Sequence, residues 1–246
     1  MMPMKSGSPP VALVTGASRG LGAVLVEFLL EEGFVVIGNA RDPKGSKDLA
    51  DRLPSAVGRL RLVSGDIAEP DTRRQLVAQV DELGRIDLLV NNASELGRSP
   101  LPTLAEYPVG EIDRVFRVNV HAPLSLIQGL LPALRESHGR IVNISSDAAR
   151  GGYPGWGVYG ASKAALDLLS LTFAHELDGS GVSVISVDPG DMRTAMHQAA
   201  YPGQDISDRP LPEATLPFWA WLLHQDASKV NGVRFQAQSD RWEVSP

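Results

Sequence analysis

The chain has 246 residues, of which 43% are hydrophobic, so it is long enough to bury a sizeable core. Its formal net charge of −6 and sequence pI near 5.4 argue against a surface that binds nucleic acid or anionic lipid. The absence of cysteine excludes a disulfide framework, a thiol nucleophile and a thiolate metal site.

The first ten residues lack a long apolar run and are not a convincing signal peptide, so we expect residues 1–9 to form a flexible N-terminus. The densest late apolar stretch, residues 218–223, is far too short to span a bilayer. We therefore predict a cytoplasmic protein with no membrane partner. No metal site is expected, because the spacing of the five histidines matches no metal-binding motif.

Seven short runs rich in β-branched and aliphatic residues predict strands, at residues 11–15, 35–39, 60–64, 87–91, 140–145, 182–187 and 233–235. Helical patterns lie between them, at residues 20–32, 46–53, 71–83, 109–137, 158–178 and 213–225. This alternation predicts a doubly wound α/β fold, with one parallel sheet of about seven strands and helices on both faces. No break in composition divides the pattern, so residues 10–246 are expected to form a single domain.

Two stretches depart from this regular pattern. Residues 109–137 contain Pro123 and Pro132, so we expect a kink or break in that helix. Residues 191–212 are rich in Gly, Pro, Asp and Gln and lack clear periodicity. A loop of that length in a compact domain is usually functional or disordered, and we predict that it is the most mobile internal segment.

A glycine-rich segment, TGASRGLG at residues 15–22, follows the first predicted strand directly and opens the first helix. Glycines there let the backbone approach a pyrophosphate, and a helix N-terminus offers free N–H groups and a favourable dipole. The spacing G-x-x-x-G-x-G differs from the common dinucleotide fingerprint G-x-G-x-x-G. The alternative is a turn whose glycines only permit close strand–helix packing, but the flanking strand and helix favour nucleotide binding.

Polar residues end two further predicted strands. Asn91 and Asn92 follow one apolar run, and Ser145 and Ser146 follow another. The carboxyl ends of strands in open parallel sheets are where ligands bind, so these residues are candidates for one crevice. Taken singly, an asparagine pair is more often an Asx-turn, and a double serine is ordinary turn chemistry.

Tyr159 and Lys163 are four residues apart in a predicted helix and therefore share one face. A nearby ammonium favours the phenolate and lowers the pKa of a tyrosine. A phenol tuned towards neutral pH can pass a proton to or from an alcohol or carbonyl oxygen. Such pairs are common on ordinary helices, so this one gains weight only from the other motifs.

In their order and spacing these segments resemble the short-chain dehydrogenase/reductase family, in its compact single-domain branch. The resemblance covers about residues 10–235 and rests on TGASRGLG at 15–22, Asp66-Ile67, NNA at 91–93, Asn119, Ser146, Tyr159, Lys163, and Pro189-Gly190 with Thr194. It implies a Rossmann-type dinucleotide-binding domain with a catalytic tetrad of Asn119, Ser146, Tyr159 and Lys163. The 13-residue offset from Tyr159 selects Ser146 over Ser145 for this tetrad.

The resemblance also implies a role for each residue. Tyr159 is the general acid/base, Lys163 holds the nicotinamide ribose, and Ser146 hydrogen-bonds the substrate oxygen. Asn119 helps to hold a water that links Lys163 to solvent, and Thr194 reaches the nicotinamide carboxamide. Residues 191–212 form a substrate lid. The expected cofactor contacts are Gly16, Ser18, Arg19, Gly20, Leu21, Gly22, Arg41, Asp66, Ile67, Asn92, Ala93, Tyr159, Lys163, Pro189, Gly190 and Thr194.

The end of the second predicted strand bears on cofactor choice. An acidic residue there suits the 2′-OH of NAD, whereas an arginine suits the 2′-phosphate of NADP. The NAD-type position holds Ala40, and Arg41 follows it; Arg19 is a second phosphate partner. Asp42 is better placed to cap the following turn. The alternative for Arg41 is an ordinary solvated arginine on the surface. We favour NADP over NAD.

Two features depart from the family pattern. Its usual NNAG ends in Ser94 here, which places a side chain where a glycine often lies near the cofactor. The C-terminus from Gly232 lacks the glycine pair common in tetrameric relatives. A homo-oligomer, dimer or tetramer, is still expected, and Trp242 either packs across a subunit interface or lies on the surface.

The function expected is hydride transfer between a nicotinamide cofactor, NADPH by preference, and a small-molecule carbonyl compound or secondary alcohol. The alternative is a catalytically idle dinucleotide-binding sensor or scaffold on the same fold. Members of that kind are expected to lose the tyrosine or the lysine, and this chain keeps both Tyr159 and Lys163. The enzyme is therefore the favoured interpretation.

Overall fold

The structure is a computed structural model that describes residues 8–244, so most of the predicted flexible N-terminus lies outside the described residues. One sheet of seven strands crosses the molecule in the order β3-β2-β1-β4-β5-β6-β7, and every neighbouring pair is parallel. The strands are β1 (Val11–Thr15), β2 (Val35–Ala40), β3 (Leu60–Ser64), β4 (Leu88–Asn91), β5 (Arg140–Ile144), β6 (Ser183–Asp188) and β7 (Arg234–Gln236).

The helices connect the strands in chain order. They are α1 (Gly20–Glu31), α2 (Pro43–Arg52), α3 (Pro70–Leu83), α4 (Val109–Phe116), α5 (Ala122–Ser137), α6 (Ala148–Gly151), α7 (Gly157–Glu176), α8 (Ala195–Ala200), α9 (Leu216–Leu223) and α10 (Ala227–Val230). Short 3₁₀ turns at Pro54–Ala56 and Pro212–Thr215 and a π segment at Arg117–His121 complete the list. The doubly wound fold predicted from the alternation of strands and helices is confirmed.

Both faces of the sheet are buried, which explains why the strands read as nearly continuous apolar runs. In β1, Ala12 and Val14 face a core layer shared with α1 and α9. The intervening Val11 and Leu13 face a second layer shared with α3 and α5. Side chains alternate across a strand, so one short run supplies both layers at once.

The predicted helix 109–137 is interrupted, as expected, but the break lies ahead of Pro123. The π segment Arg117–His121 separates α4 from α5, and the Ala122 N–H bonds to the Arg117 carbonyl, five residues back. Pro123 lies in the first turn of α5, where proline is tolerated, and it has no N–H to donate to the Asn119 carbonyl. Pro132 lies inside α5 without ending it.

Other helix boundaries differ from the sequence prediction because of local caps. The second helix begins at Pro43 rather than at 46, since the Asp42 side chain accepts a hydrogen bond from the Lys44 N–H at 3.0 Å. The stretch 191–212, predicted to be aperiodic, contains α8, which Thr194 caps by accepting a bond from the His197 N–H at 3.2 Å. The predicted helix 213–225 is a 3₁₀ turn followed by the shorter α9.

Trp242, left open by the sequence, packs within its own chain. Its ring lies 5.5 Å from Phe218 and 5.7 Å from Trp221, between ring centroids, and its indole N–H donates to the Gln236 carbonyl at 3.0 Å. The C-terminal segment thus closes over α9 and β7. Across residues 8–244, no helix combines the length and apolar character needed to cross a membrane.

Candidate active site

A cleft opens at the carboxyl ends of the strands, where the strand order reverses between β1 and β4. Open parallel sheets place ligands at such a switch point. The cavity has a volume of about 500 Å³, within the range of small-molecule sites. Its walls come from the turns that follow β1, β2, β3, β4, β5 and β6 and from the first turn of α7.

The glycine-rich turn presents an uncapped helix N-terminus to the cleft. Arg19 is the N-cap residue of α1, and its side chain makes no capping bond there. By contrast, Asp42 caps α2 and Thr194 caps α8. Unpaired N–H groups at a helix start, with the positive end of the helix dipole, suit a pyrophosphate. Gly16 and Gly20 have φ of +66° and +54°, a conformation that favours glycine.

The end of β4 is bonded tightly to this turn. The N–H groups of Asn92 and Ala93 donate to the Thr15 hydroxyl at 3.0 and 2.9 Å, and the Asn92 amide donates to the Thr15 carbonyl at 2.8 Å. A Cβ on Gly16 would lie 2.9 Å from the Ala93 Cα. A Cβ on Gly22 would lie 2.2 Å from the Gly16 carbonyl oxygen. Any side chain at either glycine would push the turn away from β4.

Tyr159 and Lys163 face the cleft from one side of α7, as their spacing predicts. Both are buried, and the Lys163 ammonium lies 5.6 Å from the centre of the Tyr159 ring. Lys163 Nζ donates to the Ile144 carbonyl at the end of β5, at 2.7 Å. Ser146 follows two residues later, and its hydroxyl acts to lower the pKa of the Tyr159 phenol. The structure therefore brings Ser146, Tyr159 and Lys163 together.

The acid–base properties of this pair differ from the expectation that the lysine lowers the tyrosine pKa. Burial raises the pKa of Tyr159 to about 12, although the Ser94 and Ser146 hydroxyls act in the opposite direction. Burial likewise lowers the pKa of Lys163 to about 8, against the charge of Asp167. Desolvation is the largest cause of both pKa shifts. The Tyr159 phenol is thus protonated at neutral pH.

Asn119 lies in the π segment and is fully buried, and its side-chain amide is occupied by neighbours. It donates to the Glu95 carbonyl and to the Ser162 hydroxyl, each at 2.9 Å. Its oxygen accepts from the Glu95 N–H at 2.7 Å and from the Ser94 hydroxyl at 3.3 Å. These bonds join the loop after β4 to α7, so the side chain holds the cleft wall in place.

Ser94, the departure from the family pattern, has a defined place in the cleft. Its hydroxyl donates to the Asn119 side-chain oxygen at 3.3 Å, and it acts to lower the pKa of the Tyr159 phenol. The phenol therefore has two serine neighbours, Ser94 from the turn after β4 and Ser146 from the turn after β5. A glycine at position 94 would supply no such hydroxyl.

Most of the predicted cofactor contacts line the cavity, and three predicted site residues do not: Gly22, Asn119 and Ser146. The lining ones are Gly16, Ser18, Arg19, Gly20, Leu21, Arg41, Asp66, Ile67, Asn92, Ala93, Tyr159, Lys163, Pro189, Gly190 and Thr194. Gly22 lies beneath the turn, where it permits close packing of α1 against the Gly16 carbonyl. The contacts of Gly22 therefore match the alternative interpretation, in which the glycine permits close packing of strand and helix, better than they match a cofactor contact.

Several lining residues were missed by the sequence analysis. Arg114 of α4 donates to Asp66 at 2.6 Å, and Arg41 lies 3.5 Å from Glu95 across the cleft. Although burial of Asp66 opposes it, the hydrogen bonds from the Ala68 N–H and Arg114 lower the pKa of this carboxyl. Trp156 and Met196 form a wall beside Tyr159. Glu95 could have been found, because it extends a polar strand end, and Met196 lies within the predicted lid 191–212. No motif marks Arg114 or Trp156.

A sequence profile described as short chain dehydrogenase matches residues 10–205. The chain belongs to the short-chain dehydrogenase/reductase family. It is therefore an oxidoreductase of that family, and the resemblance inferred from the motifs is confirmed.

Curated relatives in this family carry different names. The rhamnolipid-biosynthesis 3-oxoacyl-[acyl-carrier-protein] reductase of Pseudomonas aeruginosa is 37% identical over 231 residues, which cover 90% of this chain and 87% of the relative. The serine 3-dehydrogenase of Rhizobium radiobacter is 36% identical over 184 residues, which cover 74% of this chain and 72% of the relative. Their substrates differ, so family membership alone does not select one.

Solved structures of short-chain dehydrogenases share the fold closely. One from Pseudomonas syringae is 34% identical, with a TM-score of 0.86, and the match covers 95% of this chain and 98% of that one. One from Shigella flexneri 2a in complex with NADP is 30% identical, with a TM-score of 0.86 over 94% and 97% of the two chains. One from Escherichia coli CFT073 in complex with NADPH is 30% identical, with a TM-score of 0.85 over the same shares.

Replacing Lys163 by Met removes the pH-dependent cost of burying an ammonium, so the stability of the variant relative to wild type should fall as the pH rises from 7 towards 10.5. The Lys163 pKa is about 8 in the folded protein and 10.5 ordinarily, so the unfolded chain binds more protons in this window. Wild-type stability should therefore rise across it, by up to roughly 3 kcal/mol relative to the variant.

Denaturant unfolding of both proteins at several pH values between 7 and 10.5 measures this difference. The variant also loses the hydrogen bond from Lys163 to the Ile144 carbonyl. This loss lowers its free energy of unfolding by a similar amount at every pH at which Lys163 is charged, so the change of the difference with pH is the test. If the difference in free energy of unfolding between the two proteins stays constant from pH 7 to 10.5, burial does not lower the Lys163 pKa.

Proposed function

We propose that the protein transfers a hydride between NADPH and a carbonyl compound, or in reverse between a secondary alcohol and NADP, with Tyr159 as the general acid/base. The observation that carries this proposal is the meeting of two features in one cleft. The uncapped start of α1 faces the cavity, and so does the buried Tyr159–Lys163 pair of α7. The first suits a dinucleotide and the second suits proton transfer at an oxygen.

Each site residue has a separate role in the reduction. NADPH, when bound, supplies the hydride to the carbonyl carbon. Tyr159 donates its phenolic proton to the carbonyl oxygen as the C=O bond becomes an alcohol. The Ser146 hydroxyl hydrogen-bonds that oxygen and stabilises its developing negative charge. The Lys163 ammonium, held by the Ile144 carbonyl, stabilises the phenolate left on Tyr159 until solvent restores the proton.

The preference for NADP is assigned to Arg41, with support from Arg19. Arg41 lines the cleft just after β2 and is 61% exposed, with Glu95 as a partner at 3.5 Å. An exposed pair of that kind contributes about 0–1 kcal/mol. A charge-assisted bond to a phosphate contributes about 1.5–3 kcal/mol, so a 2′-phosphate would draw Arg41 away from Glu95. The NADP and NADPH complexes of two structural relatives support this choice.

The substrate is assigned to carbonyl compounds that carry a bulky apolar group. The wall beside Tyr159 consists of Leu96, Trp156 and Met196, and the Trp156 ring lies 5.6 Å from the Tyr159 ring in an edge-to-face arrangement. Tyr201 packs behind Trp156 at 6.1 Å. Apolar and aromatic surface of this kind gains from burying hydrocarbon and offers little to a small polar substrate.

Residues 191–212 form the lid in this proposal, because Met192 and residues 194–197 line the cleft opposite α7. The segment touches the domain at few polar points. The Ser99 hydroxyl donates to the Ala199 carbonyl at 2.6 Å, and the Gln238 amide donates to the Asp191 carbonyl at 2.9 Å. A segment held by few polar contacts can open for substrate and close over it, and its apolar contacts through Met192, Ala200 and Tyr201 would break when it opens.

We also propose that the protein forms a homo-oligomer. Leu168 and Leu171, three residues apart on α7, are 66% and 39% exposed. Large aliphatic side chains clustered on one helix face are typical of protein contact surfaces. A second copy of this chain is the partner that we propose for this face.

Tyr159→Phe should lower kcat by at least about a hundredfold, because the variant has no proton to donate, while NADPH still binds. Turnover of a ketone and aldehyde panel and quenching of NADPH fluorescence measure the two effects separately. Tyr107→Phe is the matched control: Tyr107 is buried outside the cleft, and its hydroxyl finds no hydrogen-bond partner among the described residues.

Near wild-type kcat in Tyr159→Phe would refute its role as the acid. Tight NADPH binding by the wild type without turnover of any compound in the panel would favour the alternative of an idle dinucleotide sensor.

Arg41→Ala should raise the KM for NADPH about tenfold to a hundredfold, since each ~1.4 kcal/mol corresponds to one decade. The KM for NADH should change far less, because NADH has no 2′-phosphate. The ratio of kcat/KM for the two cofactors is the measurement. Arg98→Ala is the control, since Arg98 is also exposed and paired, with Glu111 at 2.9 Å, but lies outside the cleft. A wild type that prefers NADH, or equal weakening of both cofactors, would refute the assignment.

Trp156→Ala should raise the KM for aryl and long-chain alkyl ketones by about tenfold to a hundredfold, because it removes apolar wall worth roughly 1–3 kcal/mol. A short aliphatic aldehyde does not reach the wall, so its kcat/KM should change little. That aldehyde also reports whether Tyr159 keeps its position after the substitution. An unchanged KM for the aryl and long-chain alkyl ketones, with the aldehyde reaction intact, would contradict the substrate assignment.

A further inference from the structure

Arg234, the first residue of β7, bonds three separate segments behind the cleft. Its Nε donates to Asp167 Oδ2 at 3.0 Å, and its Nη2 donates to the Ser146 carbonyl at 2.8 Å and to Asp188 Oδ2 at 3.2 Å. The guanidinium is only 13% exposed, and the partner carboxylates are 16% and 5% exposed. A planar guanidinium can serve several acceptors at fixed angles, which a lysine cannot.

Each partner belongs to a segment that carries a proposed site residue. Ser146 is itself one of them. Asp167 lies one turn after Lys163 on the same face of α7. Asp188 ends β6, and its other oxygen accepts a bond from the Gly190 N–H at 3.0 Å. Arg234 therefore links the turn after β5, the helix α7 and the turn after β6 through one side chain.

The charges of this cluster balance. Asp167 and Asp188 carry the negative charges, Arg234 pairs with both of them, and the charge of Asp167 also acts on Lys163. Removing one member of a buried ionic cluster leaves an uncompensated charge, which is strongly unfavourable. Arg234 is the only member that contacts both carboxylates, so the arrangement of the cluster depends on it.

We propose that Arg234 is a positioning residue, which holds the Ser146 turn and the Lys163 face of α7 in a fixed relation by bonding Ser146, Asp167 and Asp188 at once. The proposal rests on the proposed function in one respect, because that relation affects turnover only if the cleft is catalytic. Displacement of reacting groups by about 1 Å can cost about a hundredfold in rate.

Three variants test this role: Arg234→Met, which keeps the apolar stem and removes the charge; Arg234→Lys, which keeps the charge but cannot bond all three partners; and Arg59→Met as control. Arg59 is also half-buried and bonds a single carbonyl, that of Leu30 at 2.7 Å, beside β3 at the opposite edge of the sheet. Hydrogen exchange of residues 145–151 is the first measurement, and it needs no turnover. The second is kcat together with the Kd for NADPH.

Arg234→Met should exchange faster in residues 145–151 while β1 and β4 stay protected, and Arg234→Lys should be intermediate. The kcat of Arg234→Met should fall about tenfold to a hundredfold, while its Kd for NADPH stays within about threefold of the wild-type value. Arg234→Lys should recover part of the lost kcat. Arg59→Met should change neither quantity.

Unchanged exchange in residues 145–151 overturns the proposal, as does a folded Arg234→Met with wild-type kcat. A uniform rise in exchange over the whole sheet also overturns it, because that would be a loss of global stability only. If Arg234→Met does not fold, the exchange pattern of Arg234→Lys decides by the same criteria. If the wild type turns over no carbonyl compound, the proposed function fails while the exchange result still decides on Arg234.

Discussion

The cleft depends on one close contact, in which the end of β4 is bonded to the end of β1. The Thr15 hydroxyl accepts from two successive N–H groups, those of Asn92 and Ala93, and the Asn92 amide returns a bond to the Thr15 carbonyl. The contact leaves no room for a Cβ at Gly16 or Gly22. Because the strand order reverses between these two strands, fixing their ends together fixes the floor of the crevice and aims the start of α1 across it.

On the opposite wall of the cleft, formed by α7, the cost of burying the Lys163 charge determines which residues surround it. Lys163 is fully enclosed, and a buried ammonium without partners is penalised by several kcal/mol. The chain offsets this penalty with the Ile144 carbonyl and with Asp167, and Asp167 in turn requires Arg234. A reactive group on α7 thus imposes polar residues on β7, at the edge of the sheet. The same helix buries Ala174 in the core, so its position is fixed by packing as well as by charge.

Much of this architecture follows from local sequence, because a parallel sheet buried on both faces requires apolar runs and a strand-end crevice collects polar side chains. The tetrad and the glycine turn are therefore visible as short motifs. The π segment was not, since only the missing N–H of Pro123 hints at it. The elevated pKa of Tyr159 was also missed, because the spacing to Lys163 reveals the attraction between the two groups but not how deeply both are buried. Arg114 and Trp156 reach the cleft through tertiary packing, which no short pattern records.

The distribution of the aromatic residues has an optical consequence. Of the four tryptophans, Trp219, Trp221 and Trp242 pack with Phe218 and Phe235 in one cluster beside β7. Trp156 stands apart, against Tyr159 and Tyr201 at the mouth of the cleft. Its indole emission consequently reports on events in the cleft, whereas the other three report on the C-terminal packing. A chain in which those three are replaced by Phe carries a single tryptophan, next to the proposed proton donor.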